Sequence, residues 1–238
     1  MSAPLRLLLL SNSTNHGQRY LDHAMPAVRE WLGAARGLAF VPFALRDHAG
    51  YTARVRARFA EEGVLVSEIT PDEQGRARLE EVDAVFVGGG NTFRLLDRLQ
   101  RSGLLDVLRR RAREGMPYLG ASAGTNVAAP SLKTTNDMPI VQPATFEALG
   151  LVPFQINPHY VDPEPGSLHM GETREERIRE FLEENDGPVL GLREGSWLEV
   201  EGGQGSLRGP RPARLFRRGR DPEELGPGAA LDGLLSGR

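Results

Sequence analysis

The sequence predicts an α/β protein built on a mostly parallel, doubly wound sheet, with a region of antiparallel hairpins near its C-terminus. Three observations predict it. Short apolar runs alternate with longer amphipathic ones from Leu5 to Ala121. The strand-like runs are apolar throughout, as in strands covered by helices on both faces. The chain has 238 residues, enough for one substantial domain with a real core.

In order, Leu5–Leu10 is the first expected strand, followed by a polar loop, Ser11–Gly17. Tyr20–Leu32 is expected to be helical, because Leu21, Ala24, Val28 and Leu32 recur at helical spacing. Leu38–Phe43 is the second strand. Thr52–Glu62 is a helix stopped by Gly63. Val64–Ile69 is the third strand, Pro71–Gly75 a turn, and Asp83–Val87 the fourth strand. Asn91–Gly115 is a helix broken near Gly103, and Tyr118–Ala121 is the fifth strand. Pro130–Pro165 is rich in loops and prolines. Glu172–Asn185 is a charged surface helix that Thr173 is placed to cap, and Val189–Leu192 is another strand. From Ser196 to Phe216 the pattern predicts antiparallel hairpins turning at Gly202-Gly203 and Gly209-Pro210. Residues 1–216 are assigned to one α/β domain. Residues 217–238 are assigned to a polar, glycine-rich tail, partly disordered.

Composition narrows the function. Twenty-nine Lys and Arg against 32 Asp and Glu leave a net charge of −3, not the basic surface that phosphate backbones require, so no nucleic-acid partner is expected. The Arg109–Arg113 run is the solvated face and last turn of a helix. With no cysteine, disulfides, thiolate metal sites and a cysteine nucleophile are excluded. The N-terminal Leu7–Leu10 run is shorter than a signal peptide's apolar segment, and no run has the length of a membrane span. A cytoplasmic protein without a membrane partner is expected.

In such sheets ligands bind at the carboxyl ends of the strands. Two unusual loops lie there. Gly120-Ala121-Ser122-Ala123-Gly124 has the G-x-S-x-G pattern of a nucleophile elbow, in which small neighbours let a strained strand-to-helix turn push a serine hydroxyl out of the sheet edge. Gly88-Gly89-Gly90-Asn91 is not a dinucleotide fingerprint, but its N–H groups suit an anion or an oxyanion. A serine nucleophile needs a base. His16, His23 and His48 read as ordinary residues without zinc-type spacing. His159, in "QINPHYVDP", is favoured over His169, which lies in a more polar segment. Asp137, Asp162 and Glu194 all qualify as the acid that orients the imidazole. Asp162 also suits a turn cap, and Glu194 follows a strand that ends at the same sheet edge as Ser122.

The blocks "FVGGGNTFRLL", "GASAGTNVA", "TTNDMPIVQP", "FQINPHYVDP", "GETREERI" and "LREGSWLEV" resemble, in order, those of the peptidase E family of α-aspartyl dipeptidases, from about Leu5 to about Phe216. The resemblance implies a flavodoxin-like or class I glutamine-amidotransferase-like fold, with serine in place of the amidotransferase cysteine. It implies hydrolysis of dipeptides with an N-terminal aspartate and no cofactor or metal. Ser122 matches the nucleophile, His159 the base and Glu194 the acid, with Asp137 the alternative acid. Gly90 and Ala123 match the oxyanion donors. Asn91 and Arg174 are expected to touch substrate, Arg174 as reader of the aspartate carboxylate. A monomer or homodimer acting on small peptides is expected.

Three rivals stand beside this reading. A cyanophycinase-like enzyme would cleave β-aspartyl links. An esterase of the α/β-hydrolase fold shares the order Ser122, Asp137, His159, but acid and base come too soon for the intervening strands and helices. A non-catalytic protein would bind an aspartyl metabolite without turnover.

Overall fold

The computed structural model describes residues 4–163 and 171–237. Residues 1–3, 164–170 and 238, and with them Pro165 and His169, lie outside the described residues.

The apolar runs form the expected sheet. β1 (Arg6–Leu10), β2 (Gly37–Val41), β3 (Leu65–Glu68), β4 (Val85–Val87) and β5 (Tyr118–Ala121) run parallel. β8 (Trp197–Glu201) and β9 (Gln204–Arg208) are added antiparallel beside β1. The order is β3-β2-β4-β5-β1-β8-β9. Alternate residues of each strand enter opposite cores. Leu7, Leu9, Val85 and Val87 face one, while Leu8, Leu10, Phe40 and Phe86 face the other. α1 (Met25–Leu32) and α2 (His48–Ala60) cover the second face. α3 (Glu73–Glu81), α4 (Thr92–Arg101) and α5 (Leu104–Arg113) cover the first.

The connections therefore diverge between β2 and β4, which opens a crevice at the carboxyl edge. α6 (Ala123–Asn126) opens directly from β5 on that edge. A second sheet packs on the first face, ordered β11-β10-β7-β6. It consists of β6 (Gln155–Tyr160) parallel to β7 (Val189–Arg193), with β10 (Ala213–Phe216) and β11 (Glu223–Leu225) antiparallel beyond. α7 (Arg174–Glu184) packs outside it through Ile178 and Leu182. Among the described residues no helix is long and apolar enough to cross a membrane.

Several expectations are corrected. α1 begins at Met25, not Tyr20, because Leu21 takes a left-handed φ of 61° and Pro26 suits the first helical turn. α2 begins at His48, where the Asp47 carboxylate accepts from the Gly50 N–H. The Pro71–Gly75 turn is the start of α3, capped by Asp72 through the Gly75 N–H. The break at Gly103 is as expected, with a φ of 71°. β8 and β9 form a hairpin, but the Gly209-Pro210 turn leads into the other sheet, so β10 pairs with β7 rather than β9. The expected loose tail is folded: β11 extends the second sheet, and Leu231 and Leu234, at the start of and within α8 (Asp232–Leu235), are buried in the main core.

Candidate active site

The turn from β5 into α6 is tight enough to require its glycines. A Cβ on Gly120 would lie 2.7 Å from the Gly124 carbonyl oxygen, and one on Gly124 would lie 2.1 Å from that of Val87. Ser122 itself sits at φ 54°, ψ −110°. A non-glycine residue persists there only because its surroundings impose it, at a cost on the order of 1–3 kcal/mol. The Ser122 N–H donates to Leu10 O at 3.1 Å, and its carbonyl accepts from the Thr125 and Asn126 N–H groups. Thr125 Oγ1 also donates to Leu10 O, and Tyr118 Oη donates to Gly124 O, both at 2.6 Å.

His159 comes from the other sheet. β6 and β7 pair in register to Pro158↔Leu192 and resume at Tyr160↔Arg193, so His159 is the extra residue of a bulge. Its φ is 54°. A bulge re-aims a side chain, and here the imidazole points toward the elbow. His159 Nε2 lies 2.9 Å from Ser122 Oγ, and Nδ1 lies 2.6 Å from Glu194 Oε1. Glu194 directly follows β7. Both ring nitrogens are thus engaged, one by the serine and one by the glutamate. The Glu194 and His159 side chains keep 52% and 40% of their surface exposed, so water reaches this end of the relay.

Asp137 stands elsewhere. Its Oδ2 accepts from the Thr92 N–H at 2.7 Å and from Thr92 Oγ1 at 2.6 Å, at the positive N-terminus of α4. Asn91 caps the same helix, accepting from the Arg94 N–H, while its Nδ2 donates to Met138 O. Asp162 is engaged as well: Arg193 binds it through two N–H groups at 2.7 and 2.6 Å, which holds its carboxyl below the usual range. Arg193 also binds Glu224 on β11, so the folded tail braces the strand that leads into Glu194. Arg174 opens α7 behind a Thr173–Glu176 capping box. Burial lowers its guanidinium's affinity for the proton, the neighbouring Arg177 acts the same way, and the charge of Asp137 opposes them. Among the described residues it makes no ion pair within 4.0 Å.

Gly90 needs to be glycine: its φ is 134°, and a Cβ would lie 2.7 Å from Ala44 O. The loop's other N–H groups are spoken for, by Val41 O for Gly88, Tyr51 Oη for Gly89 and Ala44 O for Asn91. Among the described residues neither the Gly90 nor the Ala123 N–H donates to a protein acceptor. These two donors belong to the loops that follow β4 and β5, Ala123 directly after Ser122. A Cβ on Gly89 would lie 2.9 Å from Ser122 Cβ, a measure of how closely the loops approach.

Sequence reasoning missed Tyr51, whose buried hydroxyl holds the Gly89 N–H at 2.9 Å, and the pair Ser11-Asn12, taken for an ordinary polar loop. The available signal for the pair was position, since it ends a strand at the edge where the other two loops lie.

The family model described as Peptidase family S51 matches residues 7–208. The chain is 64% identical to peptidase E of Streptomyces coelicolor, over 98% of this chain and 96% of the relative. It is 49% identical to a probable alpha-aspartyl dipeptidase of Drosophila melanogaster, over 99% of each. Among solved structures, a putative peptidase E protein from Listeria monocytogenes superposes with a TM-score of 0.67 at 22% identity, over 87% of this chain and all of that one. A peptidase from an acI-B1 actinobacterium gives 0.70 at 14% identity, over 96% and 97%. The structural likenesses speak for the fold, and the full-length sequence relationships for descent: this chain belongs to peptidase family S51.

Proposed function

We propose that the chain is a serine dipeptidase that hydrolyses α-aspartyl dipeptides, Asp-Xaa, through an acyl-enzyme. The observation that carries the proposal is the Ser122–His159–Glu194 relay set beside two N–H groups that, among the described residues, no protein acceptor uses. Ser122 Oγ attacks the carbonyl of the N-terminal aspartate while His159 Nε2 takes its proton. Glu194 keeps the other ring proton on Nδ1 and offsets the charge of the imidazolium that forms. The oxyanion rests on the Gly90 and Ala123 N–H groups, an effect worth about 3–4 kcal/mol per donor in comparable sites. Collapse expels the amine, which takes the proton from His159. Water then enters, gives its proton to His159, and releases aspartate.

Selection of aspartate needs a cation for its side-chain carboxylate and an acceptor for its α-amino group. Arg174 fills the first role: it stands half-buried, without an ion pair among the described residues, and within the field of Asp137. Asp137 fills the second with the oxygen that Thr92 leaves free, and Asn91, which caps the same helix, is the neighbouring polar group. The name of the Drosophila relative points to the same substrate class. Cytoplasmic location and a monomeric or homodimeric state belong to the proposal, to be checked by fractionation and sedimentation.

The test compares Asp-Leu with Asn-Leu, β-Asp-Leu and N-acetyl-Asp-Leu, with Ser122→Ala as control. Turnover of Asp-Leu alone, abolished in the variant, is expected. Turnover of β-Asp-Leu instead would select the cyanophycinase-like reading, and binding without turnover the non-catalytic one. Arg174→Ala is expected to erase the preference for Asp-Leu over Asn-Leu, and an unchanged ratio removes Arg174 from this role.

A further inference from the structure

The nucleophile, base and acid come from two different sheets, so something must set their mutual register. Ser122 directly follows β5 and Glu194 directly follows β7, whereas His159 lies within β6. β6 and β7 pair with each other, but β5 pairs with neither, so no ladder of hydrogen bonds fixes Ser122 relative to His159 and Glu194.

The end of β1 touches Ser122, His159 and the residues on both sides of Glu194. Leu10 O accepts from the Ser122 N–H at 3.1 Å. Ser11 Oγ accepts from the His159 N–H at 3.0 Å and donates to Leu192 O at 2.7 Å, two residues before Glu194. The Ser11 N–H donates to Ser196 O at 3.0 Å. Asn12 Oδ1 accepts from the Gly195 N–H at 2.8 Å, immediately after Glu194. The Asn12 amide is itself oriented, since Nδ2 donates to Asn15 Oδ1 at 2.7 Å and to Thr14 O at 3.0 Å. Ser11 is 0% exposed and Asn12 1%, so water does not substitute for these bonds. The His159 backbone is where such support is needed, because its left-handed φ is one that histidine adopts only when held.

We propose that Ser11 and Asn12 are positioning residues for catalysis: together with Leu10 O they form a jig that holds His159 and Glu194 in reach of Ser122 across the junction of the two sheets. Neither side chain touches the reacting atoms: Ser11 acts through the backbone of His159, and Asn12 through that of Gly195 beside Glu194. The inference rests on the Ser122–His159–Glu194 mechanism proposed above.

The experiment uses the full chain with Ser11→Ala, Asn12→Ala, Glu194→Gln and the Asn12→Ala/Glu194→Gln double variant. Two rates are read on each: Asp-Leu hydrolysis, as kcat and KM, and covalent labelling of Ser122 by a small neutral sulfonyl fluoride. Melting temperature verifies folding. Because displacements of about 1 Å in a catalytic group cost on the order of a hundredfold, Ser11→Ala and Asn12→Ala are each expected to lose about tenfold to a hundredfold in kcat, with KM within about twofold. Labelling is expected to slow in parallel. Asn12→Ala is expected to cost little more once Glu194 is already glutamine, because both changes act on one unit.

A folded Asn12→Ala enzyme with wild-type kcat and labelling, or a loss that multiplies in full onto that of Glu194→Gln, overturns the proposal. Should Ser11→Ala fail to fold, Asn12→Ala decides alone. If wild type does not hydrolyse Asp-Leu, the substrate reading fails, and the labelling rates still test the jig. If Ser122→Ala retains turnover, the mechanism beneath the proposal fails, and the jig with it.

Discussion

The most direct perturbation of the proposed relay is Glu194→Gln, measured against Asp137→Asn. Glu194 Oε1 lies 2.6 Å from His159 Nδ1, so in the transition state a carboxylate faces an imidazolium with charge centres about 4 Å apart. At that separation the attraction is about 1 kcal/mol in water and about 4 kcal/mol at the effective dielectric near a protein surface. Glu194 is half exposed, which places its contribution between these limits, at roughly 2–3 kcal/mol. Loss of the charge then lowers kcat about 30- to 160-fold. A glutamine that presents its NH2 group to the ring would hold the wrong tautomer and lose far more, about 10⁴-fold in the corresponding Asp→Asn change of a serine protease. The exposed end of the side chain is free to rotate its carbonyl toward Nδ1, so the smaller loss is expected.

Asp137→Asn keeps the acceptor for Thr92 and does not touch His159. It is expected to raise KM for Asp-Leu while leaving kcat within a fewfold of wild type. Steady-state hydrolysis of Asp-Leu by both variants is the assay. If Asp137→Asn abolishes kcat while Glu194→Gln leaves it intact, the reasoning from geometry is wrong, and the acid is Asp137.

Other changes separate the remaining parts of the site. Gly90→Ala places a Cβ 2.7 Å from Ala44 O at a φ of 134°, so the loop shifts and kcat falls by about 10²–10³-fold as one oxyanion donor is lost, with binding of Asp-Leu little changed. Tyr51→Phe leaves the buried Gly89 N–H without its acceptor, which costs about 1–3 kcal/mol in urea unfolding and slows turnover. Acid sensitivity tests the brace at Arg193. Hydrogen bonding to that guanidinium holds the folded Asp162 carboxyl below its usual range, so this pair stabilises the fold above the unfolded-state value and is lost as pH falls through the folded one. Asp162→Asn is therefore expected to lower the melting temperature near neutrality and to flatten its decline under acid. An unchanged acid profile would remove this pair from the account.

Local features were legible in the sequence. Four of the five parallel strands of the main sheet, β1, β2, β4 and β5, announce themselves by apolar runs, because each is covered on both faces. The break between α4 and α5 follows from Gly103, and the elbow follows from five consecutive residues whose sizes reflect one tight turn. α3 was hidden because its cap, Asp72, sits in a Pro-Asp-Glu-Gln-Gly stretch that reads equally well as a turn. The C-terminal segment was misjudged because its composition is polar. What orders it is long-range: Glu224 reaches the buried Arg193, and Leu231 and Leu234 reach the core.

The sequence by itself determined the fold class, the serine and the glycine loop packed beside it, since each depends on contiguous residues. Tertiary structure alone decided which acid completes the relay. Asp137, Asp162 and Glu194 are alike as residue types, and only the packing of the second sheet against the first brings Glu194 to His159 while Thr92 and Arg193 occupy the others. It also turned His159 toward Ser122, through a bulge that no local pattern announces. The physical reason is range. Turn sterics act between neighbours in the chain, whereas the hydrogen bonds that assemble this site join residues 35, 37 and 148 positions apart.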